Sequence, residues 1–415
     1  MSLQPLRQVL ASSFTAVVDS SQATVNTVQQ LANARRQSLI DAGKTPPNAK
    51  APQLVTGLAG APLMTFRAID VLRKIGELTT PQWANMARLS SSWATRRYFW
   101  AIAAAKTSPG RFRINPECKD LDFHQKTLMS DEFGVGFAGL AMERLFNTNA
   151  WVDVSVALAD RARYQNIRRQ GRLQPDYLMW QDMPNTPYYV VECKGSQTQR
   201  SVSMDQIRRG LEQIPALRFA REGRQVKRFV VATLLQPTNT TVFVIDPEDD
   251  ETPEEREKRL VAEHSKATSE RLSENVYFIP DPEHFEEKAT DARSAQLLNW
   301  AGQYRSAAAV EARIEIAPRA KQIVLEDRPV AARQVGGLRF DGFRVPLFPE
   351  LGVSTLSLFV GVEHDILETA RRAQADARST VGESSTRLLS LQEVHDTGRI
   401  SIGPSGTFLA VEGLD

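Results

Sequence analysis

Three polar side chains whose spacing suits metal-assisted chemistry lie between residues 176 and 194. Asp176 opens one run of strand-forming residues, and Glu192 and Lys194 follow the apolar run 188–191 on the next. Since side chains i and i+2 of a strand share a face, Glu192 and Lys194 point the same way and Cys193 points the opposite way. Carboxylates bind hard divalent cations, and a neighbouring lysine can orient a water. This set predicts hydrolysis of a phosphodiester.

The elements around these residues follow a mixed pattern. The run 188–191 is wholly apolar, which is typical of a central strand buried on both faces. Periodicity and breaker residues predict, in order, a helix over 130–146 capped at Ser130 or Asp131, strands at 151–158, 176–181 and 188–194, a helix over 203–221, and strands at 229–235 and 241–245.

This order, together with Asp176 and then Glu192-x-Lys194 after 15 residues, resembles the PD-(D/E)xK nuclease superfamily, the restriction-endonuclease-like fold, over residues 130–236. The resemblance implies an α/β core with a mixed central sheet flanked by helices. It also implies that Asp176 and Glu192 hold Mg²⁺ (or Mn²⁺) and that Lys194 positions the attacking water. A further expected ligand is the backbone carbonyl of Cys193, because this residue lies between Glu192 and Lys194.

Many members of that superfamily add a glutamate from the first core helix. The chain offers Glu132 and Glu143, which are 11 residues apart and therefore lie on nearly one helix face. The sequence at Glu143 resembles resolvase-like members, which favours Glu143 and leaves Glu132 as the alternative. Gly136 and Gly139 predict a close approach of this helix to the sheet. The resemblance also implies that Gln206 on the second helix orients the lysine or contacts the strand. A solvated surface residue is the competing interpretation for each of these polar side chains.

Charge is unevenly distributed along the chain. Residues 151–230 hold 14 lysines and arginines against 8 acids, a net of +6, whereas residues 246–294 hold 7 against 16, a net of −9. The basic stretch surrounds Asp176 and Glu192, where an anionic polymer would approach. Its candidate phosphate contacts are Arg168, Arg169, Arg172, Arg208 and Arg209. Such contacts would give affinity without sequence preference, although solvated helix faces carry similar charges.

Composition excludes several classes of protein. The 415 residues are 42% apolar and 24% charged, which is ordinary for a globular chain, and no apolar run reaches the roughly 18 residues of a membrane span. Cys118 and Cys193 are the only cysteines, and the five histidines show no paired spacing, which argues against a zinc site or a disulfide framework. With no secretory pattern at the N-terminus, we expect a cytoplasmic protein.

The length favours several folded units. We expect a mostly helical N-terminal region (1–125, with 1–41 helical), the nuclease-like core (126–246), a charged helical extension (247–320, with helices over 247–273 and 283–311) and a small α+β C-terminal domain (321–415, ending in a hairpin of 400–402 and 408–411).

The sequence therefore predicts a magnesium-dependent endonuclease that acts on DNA. The alternatives are a non-cutting nucleic-acid-binding or assembly subunit that keeps the fold, and a ribonuclease. The flanks could set a target, hold a homodimer or dock a separate ATPase subunit, since the chain has no phosphate-binding loop of its own. By analogy with nucleases that carry extra modules, we expect a role in bacterial restriction or anti-phage defence.

Overall fold

The computed structural model describes residues 9–10, 12–47, 49–79, 95–98, 110–114, 118, 120–157, 174–183, 186–219, 225–247, 277–279, 282–313, 327–348, 353–372 and 399–413. Over these ranges the protein is mixed α/β, with a central mixed sheet flanked by helices and a second, antiparallel sheet towards the C-terminus.

The central sheet contains nine strands of the described chain. They are β1 (Ser13–Asp19), β2 (Pro52–Leu54), β3 (Leu63–Arg67), β4 (Gly110–Arg111), β5 (Ala150–Asp153), β6 (Tyr177–Trp180), β7 (Tyr188–Ser196), β9 (Val226–Leu235) and β10 (Thr240–Pro247). The order is β3-β1-β10-β9-β7-β6-β5, with β2 also on β10 and β4 also on β1. Strand β7 pairs in parallel with β9 and antiparallel with β6. It is therefore an interior strand, as its apolar run predicted.

Helices pack on both faces of the central sheet, on one another and on the C-terminal sheet. They are α1 (Gln22–Asp41), α2 (Ala68–Leu78), α3 (Phe123–Phe146), the single turn α4 (Val154–Ala157), α5 (Arg200–Gln213), α6 (Pro282–Trp300), α7 (Tyr304–Arg313) and α8 (His364–Arg372). Alternate residues of β7 enter two hydrophobic cores: Val191 and Cys193 pack with α2 and α3, and Val190 packs with α5. Within the described ranges, no helix is long and apolar enough to cross a bilayer.

The C-terminal sheet consists of β12 (Ala331–Val335), β13 (Leu338–Phe348), β14 (Val353–Glu363), β15 (Ile400–Ile402) and β16 (Thr407–Glu412), in the order β12-β13-β14-β16-β15. Strands β15 and β16 form the hairpin that the sequence predicted. Buried side chains of this sheet share one hydrophobic core with α2 and α3. A separate pair, β8 (Leu217–Phe219) and β11 (Tyr277–Ile279), joins in parallel.

The predicted helix over residues 1–41 is wrong for residues 13–19. Ser13–Asp19 is strand β1, which pairs in parallel with β10 and antiparallel with β3. Its alternating burial shows a strand with one face in the core, and the partner that fixes this state lies more than 200 residues away at Thr241. The N-terminal region is therefore not simply helical, because β1 to β4 extend the same sheet as β7.

Most of the predicted core strands are present in the structure, whereas several predicted element boundaries are displaced. Helix α3 begins at Phe123, two turns before the predicted cap, because the carboxylate of Asp122 accepts a hydrogen bond from the backbone N–H of Gln125 at 3.0 Å. The predicted strand 151–158 ends at Asp153. The predicted helix 283–311 is divided into α6 and α7 by Gly302, whose φ is +79°. The predicted helix 247–273 lies outside the described residues.

Two glycines let α3 cross the end of β7 at contact distance. A Cβ on Gly195 would lie 1.8 Å from the carbonyl oxygen of Ser130, and a Cβ on Gly134 would lie 2.7 Å from that of Lys194. The expected close-approach residues, Gly136 and Gly139, face α2 instead, where their Cβ atoms would meet Ile75 and Leu78. The helix is thus fixed against the strand that carries Glu192 and Lys194.

We predict that Gly195→Ala destabilises the fold by at least about 2 kcal/mol, because the new methyl group meets backbone and cannot be accommodated by a side-chain rotation. Urea unfolding followed by circular dichroism measures this. Gly60→Ala is the matched control, since nothing lies within 4 Å of a Cβ there. Equal stability of the two variants would contradict this account of the crossing.

Candidate active site

Strands β6 and β7 bring Asp176 next to Glu192. Tyr177 is paired with Val191 in the antiparallel ladder, so Asp176, one residue before β6, lies beside Glu192 and Cys193. The Oδ2 atom of Asp176 accepts a hydrogen bond from the backbone N–H of Cys193 at 2.8 Å. This bond fixes the carboxylate against the strand that carries the other two predicted residues.

Glu192 is completely buried, with 0% of its surface exposed. Its Oε1 atom accepts a hydrogen bond from the ammonium of Lys194, whereas Oε2 is buried and has no hydrogen-bond partner. Burial raises the pKa of Glu192 well above its usual value, and the negative charge of Asp176 raises it further against the opposing attraction of Lys194. A buried carboxylate oxygen without a donor is energetically unfavourable and marks a place where a cation would be stabilising.

The charge on Asp176 is also disfavoured. Burial among the surrounding side chains raises its pKa to about 6, although Lys194 and the N–H of Cys193 act in the opposite direction. Asp153, at the end of β5, and Asp131, on α3, raise this pKa further. Two neighbouring carboxylates that each resist ionisation are typical of a functional site, because a structural pair would be matched with cations.

Lys194 remains charged in this surrounding. Burial lowers the pKa of its ammonium, but the attraction of Glu192 and Asp176 outweighs that effect and raises it overall. About a fifth of the side chain is exposed, at 22%, so the ammonium can contact Glu192 and solvent together. It therefore lies where a water or an anionic substrate could reach it.

Glu143 does not lie at this cluster, so the favoured helix carboxylate is corrected. Its carboxylate accepts hydrogen bonds from Arg73 at 2.9 and 3.1 Å and forms an ion pair with Lys74 at 2.7 Å. Burial would raise its pKa, but Arg73 and Lys74 lower it to about 2. Nine residues separate Gly134 from Glu143, which is about 14 Å along the helix and half a turn to the opposite face. Glu143 is a structural residue between α2 and α3.

The acid on α3 that is coupled to the site is Asp131, which the sequence prediction considered only as a helix cap. It is three residues before Gly134, so it shares the face of α3 that crosses β7. Its side chain is exposed by surface area, yet the surrounding protein raises its pKa and Lys194 opposes this. Glu132, the alternative candidate, is half-buried beside Tyr98. Burial raises its pKa, and Tyr98 and Arg97 oppose that rise. The glycine at 134 was the available signal, because it identifies the face of the helix that meets the strand.

Gln206 lies over the end of β7. Its Nε2 atom donates a hydrogen bond to the carbonyl oxygen of Gly195 at 2.9 Å, directly after Lys194. Its Oε1 atom is buried without a partner. Four residues further along α5, a Cβ on Gly210 would lie 3.2 Å from Cγ of Glu192, so α5 covers that side chain closely.

The predicted phosphate-contacting arginines differ in how available they are to a substrate. Arg208 is buried, and its guanidinium is engaged by Asp205 at 2.8 Å and Glu212 at 2.5 Å, so it is unavailable to a substrate. Arg209 also pairs with Asp205, at 2.9 Å, but 65% of its side chain is exposed. Arg168, Arg169 and Arg172 lie outside the described residues.

The oxygen atoms of this site provide some, but not all, of the ligands that a hard cation requires. Asp176 and Glu192 offer oxygens, and the unpartnered Oε2 of Glu192 is available to a ligand. In the described part of the chain, no group of three or more histidine, cysteine, aspartate or glutamate side chains converges on one point. A cation would therefore need backbone oxygen and water beside the two carboxylates, which is the usual surrounding of Mg²⁺. The side chain of Cys193 is buried in the hydrophobic core, as expected.

Comparisons with known proteins give no relative from which the role of this site could be inferred. No protein-family model, no curated protein and no solved structure matches the chain.

We predict that Asp176→Asn stabilises the fold at pH 8 by about 2 kcal/mol. Asparagine removes the buried charge and can still accept the hydrogen bond from Cys193. The wild-type carboxyl has its pKa raised to about 6, so the unfolded chain ionises first. Stability therefore falls as the pH rises from about 4 to 6, and the variant lacks this loss. Urea unfolding between pH 4 and 8 measures the difference.

The matched control is Asp205→Asn. Burial alone would raise the pKa of Asp205, but its bond with Arg208 lowers it, so this charge favours the folded state and its removal should not stabilise. If Asp176→Asn destabilised the fold at pH 8, the interpretation of Asp176 as a carboxylate whose ionisation opposes folding would be wrong.

Proposed function

We propose that this protein is a metal-dependent endonuclease that hydrolyses phosphodiester bonds of DNA, with Asp176, Glu192 and Lys194 as its catalytic centre. The observation that carries the proposal is the buried carboxylate of Glu192, which lies beside Asp176 and has one oxygen on Lys194 and the other without a partner. This arrangement is unfavourable for stability and is explained by use of the carboxylates in binding a cation.

The proposed fold is the restriction-endonuclease-like one. The antiparallel series β5-β6-β7 and the parallel pairing of β7 with β9 support it, because α5 provides the crossover between those two strands. Helix α3 precedes the series and packs on the same strand. The extra strands β1 to β4 lie on the far side of β10 and leave this arrangement intact.

Each residue has a definite task in the proposed reaction. Asp176 and Glu192, with the carbonyl of Cys193, would hold Mg²⁺ (or Mn²⁺), which supplies neutralisation of the developing phosphate charge when it is bound. The ammonium of Lys194 would orient the attacking water and contact the phosphate. In the structure this ammonium pairs with Glu192, and its side chain is partly exposed, so a substrate could also reach it. Gln206 holds the end of the strand through Gly195.

Asp131 is the proposed third acid. Its charge acts on Asp176 and is acted on by Lys194, and its side chain is exposed. It could hold a water beside the two carboxylates through a hydrogen bond. Its exposure also means that its removal should leave the fold intact.

A non-cutting nucleic-acid-binding subunit is the second candidate. The observation in its favour is that side chains supply only two carboxylates at the centre, with no third converging in the described residues. A catalytically inactive site would gain nothing from keeping an unfavourable pair of one buried and one half-buried acid, which is why hydrolysis is the preferred proposal. The role in bacterial restriction or anti-phage defence remains an expectation from the sequence.

We predict that the protein nicks supercoiled plasmid in the presence of Mg²⁺ or Mn²⁺ and that EDTA abolishes the nicking. Lys194→Ala should lower the rate by about 100-fold or more, because the water loses its orienting cation. Gel analysis of nicked product over time measures the rate, with a parallel single-stranded RNA substrate to test the ribonuclease alternative.

Lys227→Ala is the control for this loss, since Lys227 is an exposed basic residue on the neighbouring strand β9. It should cut at nearly the wild-type rate. If the wild-type protein binds plasmid but leaves DNA and RNA uncut with every divalent metal, the non-cutting subunit becomes the better explanation.

We further predict opposite phenotypes for two acids on α3. Asp131→Asn should lower the nicking rate at least about tenfold with little change in unfolding free energy. Glu143→Gln should destabilise the fold by about 3 kcal/mol, because it leaves Arg73 buried with one fewer acid. Unfolding curves and nicking rates of both variants provide the test. An unstable Asp131→Asn with unchanged specific activity would remove Asp131 from the site.

A further inference from the structure

A small cavity lies outside the catalytic centre, where α6 meets the edge strand β5, the end of α2 and the turn of the β15–β16 hairpin. Its walls include Glu77, Trp151, Leu297, Trp300, Ser405 and Thr407. Measured as the space open to the centre of a water molecule, it has a volume of about 30 Å³. That space accommodates a ligand of a few non-hydrogen atoms.

Three residues on one face of α6 that line this cavity carry buried N–H groups without partners. Arg293, Gln296 and Trp300 are spaced by three and four residues, so they lie on one side of the helix, and all three line the cavity. The Nε atom of Arg293, Nε2 of Gln296 and Nε1 of Trp300 are each buried without a hydrogen-bond partner. Arg293 and Trp300 are only 6% and 4% exposed. Three unsatisfied donors in one cavity are an unusual concentration.

Two carboxylates and one backbone carbonyl near the cavity are already engaged. The carboxylate of Glu77 accepts hydrogen bonds from Arg73 at 2.5 Å, from Lys74 at 2.9 Å and from Thr407. Asp182 accepts the bond from Nη1 of Arg293, and the carbonyl of Asn149 accepts that from Nη2 at 3.4 Å. The three N–H groups have no partner in the structure, so a ligand that pairs with them must carry acceptor atoms of its own.

We propose that this cavity is a binding site for a small monocarboxylate. The two carboxylate oxygens offer enough lone pairs for the three N–H groups, and a guanidinium is a preferred partner of that group. Arg293 is the cation among the described lining residues and already pairs with Asp182, and Glu77 also lines the cavity, so a dianion would be repelled more strongly than a single negative charge. Trp151, Leu297 and Trp300 provide apolar walls for a short alkyl group.

A bound carboxylate would join parts of the structure that are distant in sequence. Helix α6 supplies the donors, β5 is the edge of the central sheet, and Ser405 and Thr407 belong to the hairpin of the second sheet. Occupancy would therefore stabilise the docking of the two sheets. This site is separate from the proposed catalytic centre, since neither Asp176 nor Glu192 is among its lining residues.

The test is titration calorimetry of the full chain with sodium propionate and sodium acetate, against sodium chloride at equal ionic strength, together with thermal unfolding. We expect saturable heat and a rise in unfolding midpoint with the carboxylates alone. Trp300→Phe, which removes one N–H and keeps the aromatic ring, should weaken the affinity about tenfold or more, as should Gln296→Met. Trp180→Phe is the control, because Trp180 is an equally buried indole in the other hydrophobic core.

Several results would overturn the proposal. These are an absence of saturable carboxylate binding, equal affinity of Trp300→Phe and Trp180→Phe, or a crystal structure grown in propionate whose cavity holds ordered water alone. Saturable binding of phosphate in preference to propionate would overturn the assignment to a monocarboxylate. None of these readouts depends on nuclease activity.

Discussion

The close approach of two helices to the last residues of β7 is the constraint on which the site depends. On one face, Gly134 and Gly195 let α3 contact the backbone of the strand, and on the other Gly210 lets α5 cover Glu192. Larger side chains at these glycines would separate helix and strand and admit water. Because both helices lie so close, Glu192 has no exposed surface, and its ionisation becomes dependent on what stands beside it.

The buried carboxylates of Glu143 and Glu192 show how strongly neighbouring charges determine the pKa of a buried acid. Glu143 is fully enclosed, yet Arg73 and Lys74 lower its pKa to about 2, so it contributes to stability as a paired charge. Glu192 is equally enclosed, but its neighbours are another acid and one partly exposed lysine, and its pKa is raised. The same residue type is therefore structural between α2 and α3 and unfavourable at the end of β7. Natural proteins keep such unfavourable charges where they serve binding or catalysis.

The sequence was sufficient for strands β6, β7, β9 and β10 and for bringing Asp176 beside Glu192, because these depend on local patterns. The apolar run before Glu192 and the breakers around it define β7, and the two-residue period places Glu192 and Lys194 on one face. It was insufficient for β1, whose pairing partner is β10, and for the choice among acids on α3. That choice depends on the rotation of the helix, which the contact between Gly134 and the strand determines. The engagement of Arg208 by its own helix neighbours was likewise invisible to a count of basic residues.

The measurement that tests the central claim most directly is anomalous diffraction from a crystal of the protein soaked in Mn²⁺. The account predicts one strong peak about 2.2 Å from carboxylate oxygens of both Asp176 and Glu192, with the ammonium of Lys194 withdrawn from Glu192. It also predicts that the peak disappears in Asp176→Asn crystals. A contradictory result would be a wild-type crystal with Lys194 still on Glu192 and no manganese between the two carboxylates at saturating concentration.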